Sequence, residues 1–199
     1  VTTASVVIAT FGDLDAEAAP GWTWRRLRER AIESTVGQGA EVVTYHDPDP
    51  NPCALGRSRN AAIEAATGEW VLALDADDEL APGCVAALLA AEGDVRLPAY
   101  QYGDREPMLR ARRPYVAGVA GLMRREHYLA IRYREDVEWG EDNDLWHRAA
   151  LLGLSFADVP EAVYRVHVRP GSRRMTKGRD RRWAQMRAEA AVWARGRVL

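Results

Sequence analysis

An apolar run that ends in a knot of acids is the first place in this sequence where chemistry is visible: Leu72-Ala73-Leu74-Asp75-Ala76-Asp77-Asp78-Glu79-Leu80. An extended segment delivers Asp75, Asp77 and Asp78 together at its end. If the strand persists, alternation points Asp75 and Asp77 the same way, which suits one hard cation such as Mg²⁺ or Mn²⁺ with waters and phosphate oxygens completing its shell. Two like charges beside an apolar strand are costly without a cation between them. Asp78 and Glu79 have a second use open to them, capping the helix that follows.

Two further groupings could act with these acids. In Gly56-Arg57-Ser58-Arg59-Asn60-Ala61-Ala62-Ile63, helical spacing puts Leu55, Arg59, Ala62, Ile63 and Ala66 on one stripe, so Arg59 interrupts an apolar face. A cation there needs an anion, either a phosphate of a bound ligand or one of the carboxylates just named. In Trp139-Gly140-Glu141-Asp142-Asn143-Asp144-Leu145-Trp146-His147-Arg148, acids in a first helical turn suit the helix dipole. Asp142, Leu145, Trp146, Ala149 and Leu152 share a stripe, which turns Asp142 inward and predicts that Asp144 faces away. An inward, partly desolvated aspartate has the properties of a general base. Trp139 and Trp146 could stack on a sugar, although Trp146 on the buried stripe fits the core.

The elements that must position these groups follow from punctuation and period. Residues 5–9 are a β-branched strand running into Thr10-Phe11-Gly12, and apolar residues at helical spacing predict a helix from Pro20 to Val36. A strand over 41–45 ends in His46-Asp47-Pro48-Asp49-Pro50-Asn51-Pro52, which can only be loop. A helix over 54–66, a strand over 70–74 and a helix over 82–92 complete an alternation that specifies a parallel sheet with its ligands at the carboxyl ends of the strands. Residues 94–124 are broken by prolines and glycines and read as short strands and loops. A helix over 141–152, strands over 155–159 and 162–168, and a last helix over 179–195 follow.

The 199 residues suffice for one α/β core, and 47% hydrophobic with 28% charged residues excludes disordered and membrane-spanning classes. The net charge of −2 excludes a surface built to bind nucleic acid. No apolar run is long enough to cross a membrane and no signal peptide opens the sequence, so the expected residence is cytoplasmic, with a peripheral position at a membrane surface also open. Cys53 and Cys84 lack metal or redox spacing and are expected as reduced thiols. Of the 27 cationic residues only Lys177 is lysine, an arginine skew expected of coding bias. The basic segment from Arg165 to Arg182 could partly fold over an anionic ligand.

Taken in order, Ser5-Val6-Val7-Ile8-Ala9-Thr10-Phe11, Arg59-Asn60 with Ala65-Ala66-Thr67-Gly68-Glu69-Trp70, Asp75-Ala76-Asp77-Asp78, and Gly140-Glu141-Asp142 through Leu145 to Gly153 resemble glycosyltransferase family 2. The resemblance implies the α/β GT-A fold: a Rossmann-like, mostly parallel central sheet flanked by helices, with a smaller acceptor-side mixed sheet. It implies one domain over 1–199, with a nucleotide-binding half over 1–80, an acceptor half over 81–168 and a C-terminal loop and helix over 169–199.

It further implies that Thr10, Phe11, Asp47, Arg59, Asp75 and Ala76 contact the nucleotide sugar, Asp47 through a uracil ring. Arg173 and Arg174 are expected on the diphosphate. Asp77 and Asp75, with His167, would hold Mn²⁺ or Mg²⁺. Asp142 would be the base for the acceptor hydroxyl, and Glu141 would help to seat the acceptor. The donor would be a UDP-sugar and the acceptor a saccharide, glycolipid or protein, with inversion at the anomeric carbon. The Gln/Arg-x-x-Arg-Trp element of processive members is absent, which implies one sugar per encounter. A catalytically degenerate sugar-nucleotide-binding module and a sugar nucleotidyltransferase are the alternatives; the latter lacks its Gly-rich phosphate loop at Gly12-Asp13-Leu14-Asp15.

Overall fold

The computed structural model describes residues 3–109, 120–138 and 140–167. The elements in order are β1 (Ala4–Phe11), β2 (Glu17–Ala19), β3 (Trp22–Thr23), α1 (Trp24–Glu33), β4 (Glu41–Asp47), α2 (Ala54–Ala65), β5 (Trp70–Asp75), β6 (Glu79–Leu80), α3 (Cys84–Ala90), β7 (Val95–Tyr102), β8 (Leu122–Arg124), α4 (Arg125–Ile131), α5 (Glu141–Leu151) and β9 (Phe156–Val166). The expected helix over 179–195 lies outside the described residues, as do Trp139, Arg173 and Arg174.

A seven-stranded sheet of order β4-β1-β5-β8-β7-β9-β6 organises the chain, and β2 and β3 form a separate hairpin. The α/β class and GT-A architecture are as expected. The parallel half, β4-β1-β5, and the mixed half continue each other in one sheet, because β8 pairs antiparallel with both β5 and β7. β7 and β9 are parallel, so β5, β7 and β9 all run the same way. Their carboxyl ends therefore share one edge with those of β1 and β4. Val6, Val7 and Ile8 of β1 and Val71, Leu72 and Ala73 of β5 are almost wholly buried, as a strand covered on both faces requires.

Several boundaries move for identifiable reasons. The helix expected from Pro20 begins at Trp24, with Thr23 capping it by accepting from Arg26 N–H. Pro20 and Gly21 instead turn the β2–β3 hairpin, Gly21 at φ 75°. The region over 94–124 holds an eight-residue strand, β7, despite Pro98, because the register with β9 shifts between Pro98 and Ala99. The same shift joins the two strands expected over 155–168 into β9: Val159 pairs with Pro98 and Val163 with Ala99, leaving 160–162 as the bulge. Helix α4 has no counterpart in the sequence reading. Cys53 and Cys84 are free thiols, as expected.

One packing contact fixes how the segment after α4 meets α2. The Asn60 side chain donates to Tyr133 O at 2.9 Å and to Glu135 Oε1 at 2.8 Å, and accepts from Tyr133 N–H at 2.8 Å. One turn earlier, Gly56 lies so near this segment that an added Cβ would stand 1.9 Å from Arg134 O. Backbone cannot yield there as a flexible side chain would. Gly56→Ala should therefore cost about 2 kcal/mol or more in chemical denaturation, against the gain of a few tenths to about 1 kcal/mol that Ala normally brings to a helix interior.

Candidate functional site

The carboxyl edge collects the expected residues. Phe11 pairs with Asp47 across β1 and β4, and Ala9 pairs with Asp75 across β1 and β5, so all three strands stop within two residues of one line. Thr10 is buried; its hydroxyl donates to Tyr45 O at 3.3 Å and lies 3.2 Å from His46 Nδ1. Asp47 is held by Arg57, whose Nε stands 2.7 Å from Oδ2, while Asp49 N–H donates to Oδ1 at 3.0 Å. These contacts, Arg57 foremost, keep the Asp47 carboxyl below the usual range, so it is an ionised acceptor at neutral pH.

Beyond Asp75 the chain turns rather than continuing as strand. Asp78 N–H donates to Asp75 O at 3.0 Å, and the turn, not strand alternation, brings the carboxylates together. One oxygen each from Asp75, Asp77 and Asp78 lies within 4.8 Å of the others. Three hard carboxylate oxygens at this separation, two partly exposed and one buried, are a donor set that fits Mg²⁺ or Mn²⁺. Ala76 is buried between the first two.

Asp78 and Glu79 do not cap the next helix. The N-cap of α3 is Gly83, and Glu79 enters β6, paired with Arg165 of β9. Glu79 Oε1 sits 2.7 Å from Arg30 Nε and 2.9 Å from His167 Nε2. Arg30 also donates to Asp77 O at 3.3 Å, and its guanidinium lies 4.9 Å from the Trp22 ring centroid. His167, just past the end of β9, donates its backbone N–H to Asp78 Oδ1 at 2.9 Å. The structure thus brings His167 to the acidic turn, with its imidazole against Glu79. Neither Arg30 nor Trp22 is singled out by the sequence reading.

Arg59 has the carboxylate partners that the sequence left open. It is buried, its Nη2 is 2.6 Å from Asp75 Oδ1, and its Nη1 pairs with Glu141. Its guanidinium carbon lies 5.2 Å from the Tyr133 ring centroid. Glu141 is buried at the first turn of α5, whose N-cap is Gly140 at φ 78°.

Asp142 follows, partly buried, with Oδ1 accepting from Asn143 N–H at 2.7 Å and from Asn143 Nδ2 at 2.8 Å. Burial first, and the neighbouring Glu141 charge second, push the Asp142 carboxyl up to about 7, against the opposing pull of Arg59. Asp144 does not face away. It is 1% exposed and 2.7 Å from Arg148 Nε, and Arg148 donates onward to Ile131 O and, at 2.6 Å, to Arg132 O. α5 buries a polar stripe of Glu141, Asp144 and Arg148 beside its apolar one. Trp146 is fully buried in the core, as expected.

Comparison with known proteins bears on the fold that carries these residues. The glycosyl transferase family 2 model matches residues 49–94, the stretch that holds α2, β5 and the acidic turn. No curated protein matches the chain. Among solved structures, Staphylococcus aureus TarS 1–349 in complex with UDP superposes with a TM-score of 0.64 at 17% identity, over 95% of this chain and 70% of that one. The same fragment in complex with UDP-GlcNAc gives 0.65 at 18% identity, over 96% and 66%. Against a longer TarS chain the score is 0.66 at 15%, and this chain spans 43% of it. At such identities the likeness is one of fold. Residues 49–94 are thus similar to glycosyl transferase family 2, and the chain over nearly its whole length shares the fold of TarS, which is of the GT-A type.

The raised Asp142 carboxyl has a consequence for stability. An acid whose folded value exceeds its unfolded one stabilises the fold only while protonated, so this contribution is present below about pH 4 and is lost as pH rises towards 7. Asp142→Asn mimics the neutral form. Thermal melts should show it more stable than the parent at pH 8, by about 1–3 kcal/mol, with the gain shrinking towards pH 4.

Proposed function

We propose that the chain transfers one sugar from a UDP-sugar to an acceptor hydroxyl with inversion, with Asp142 as general base and a divalent cation at Asp75 and Asp77. The observation that carries the reading is the placement of Asp142. A carboxyl held near neutrality stands one residue from the Glu141–Arg59–Asp75 chain that leads to the acidic turn. A base whose proton affinity matches ambient pH is the useful one.

In this reading Thr10, Phe11 and the ionised Asp47 hold the nucleobase and ribose side of the donor. Asp47 accepts from a ring N–H, the partner a uracil offers. The backbone at Ala76 lies along the donor, Asp77 and Asp75 ligate the cation, and His167 closes the same edge. Bound there, a divalent cation supplies counter-charge to the leaving diphosphate. Arg173 and Arg174 are assigned to the same phosphates. Residues 1–80 serve the donor and residues 81–168 the acceptor. Glu141 seats the acceptor beside Asp142.

The acceptor O–H gives its proton to Asp142 as the oxygen bonds to the anomeric carbon. The bond from that carbon to the phosphate oxygen breaks, and its electron pair leaves with UDP. Attack opposite the leaving group inverts the centre. The donor assignment draws support from the UDP and UDP-GlcNAc bound to the TarS fragment. No described helix is long and apolar enough to cross a membrane.

A screen for UDP release across nucleotide sugars, with Mn²⁺ or with chelator, tests the whole reading. One donor should give metal-dependent release that rises with pH through about 7, where Asp142 loses its proton. No response to any donor would reject it. Asp142→Asn should lower release by about 10²–10⁴-fold while UDP affinity stays within a factor of about three. Near-normal turnover in that variant would remove Asp142 from the role.

A further inference from the structure

Arg59 has more contacts than a simple anion ligand needs. Two carboxylates on different elements, Asp75 at the end of β5 and Glu141 at the start of α5, take opposite arms of one guanidinium, and the Tyr133 ring covers its plane. The side chain is 5% exposed, so a free cation there would be costly and each arm needs its anion. Only a planar fork reaches two carboxylates in this way; a lysine would serve one. The arginine therefore joins the acidic edge to the helix that carries Asp142.

We propose that Arg59 is a positioning residue, not a donor ligand: by pairing with Asp75 at the end of β5 and with Glu141 at the start of α5 it fixes the helix start that carries Asp142 against the acidic edge. The inference rests on the transferase reading for its consequence in turnover, because Asp142 is the base only there. The charges that act on the Asp142 carboxyl are those of Glu141 from α5, Arg59 from α2 and Asp75 from β5, and Asp142 acts in turn on Tyr133 in the segment after α4. Of these only Arg59 favours the ionised carboxylate. Glu141 opposes ionisation, and Arg59 offsets much of that opposition by pairing with Glu141 directly. A change of charge at Asp75 redistributes the pull of Arg59 and is felt at Asp142. The acidic edge and the base thus share one cation.

Two variants separate this from a nucleotide contact or a scaffold role. Arg59→Gln removes the favourable charge that the described residues supply, and Glu141→Gln removes the leading unfavourable one while keeping the Arg59–Asp75 pair. Carboxyl-carbon NMR of Asp-labelled protein reads the Asp142 midpoint directly, with no turnover required. It should rise by about one unit in Arg59→Gln and fall by about one unit in Glu141→Gln. UDP affinity in Arg59→Gln, read by calorimetry, should stay within a factor of about three. Loss of packing alone does not move one group in opposite directions.

A midpoint unmoved in Glu141→Gln overturns the proposal, and that variant decides the matter if Arg59→Gln fails to fold. A tenfold loss of UDP affinity in Arg59→Gln with an unmoved midpoint also overturns it and makes Arg59 a donor ligand. Absence of UDP release in the parent protein would reject the transferase reading and leave the titration result standing.

Discussion

Like charge crowded onto one sheet edge is the constraint that the rest of the structure answers. Asp75, Asp77, Asp78 and Glu79 fall within one turn, and Glu141 and Asp142 arrive beside them on α5. In a low-dielectric setting such a cluster repels itself strongly. The fold supplies counter-charge from separate elements, Arg59 from α2 and Arg30 from α1, and the His167 imidazole at the end of β9 packs against Glu79. The β2–β3 hairpin has a share in this, since Trp22 braces Arg30, and Arg26 lies 5.0 Å from the same ring. Elements distant in sequence are bound to the site by the same electrostatic requirement.

The frame of the molecule was readable because its signals are local. β1, β4 and β5 are apolar or β-branched runs bounded by Gly, Pro and Asx residues, and the acids at the end of β5 needed no knowledge of their neighbours. Arg59 on an apolar stripe announced the need for an anion, with a ligand phosphate and the nearby carboxylates both open. What escaped depends on contacts between distant segments. A strand containing Pro98 is intelligible only with the bulge of β9 beside it. Helix α4 is a seven-residue segment whose place is settled by the Arg148 side chain that binds its last carbonyls.

Asp144 shows why a stripe argument can mislead. A single apolar face would by itself define the inside of α5, yet the helix also buries a second, polar stripe. Asp144 and Arg148 stand four residues apart with opposite charge, a pairing that the sequence did display. Given such a pair, a charged residue no longer marks the solvent side. Asn60 is a similar case. It was visible beside Arg59, but its use, gripping the Tyr133 backbone with both ends of its amide, belongs to the tertiary structure.

The continuity of the sheet has a mechanical meaning. β8 is hydrogen-bonded to β5 on one side and β7 on the other, so no seam separates the half that carries Asp47 and Asp75 from the half that ends at His167. A protein of two lobes can open and close on a hinge between them. This one cannot part its halves without breaking a ladder of backbone hydrogen bonds. Opening of the site is left to segments outside the sheet, above a floor that the strand ladders tie into one plate.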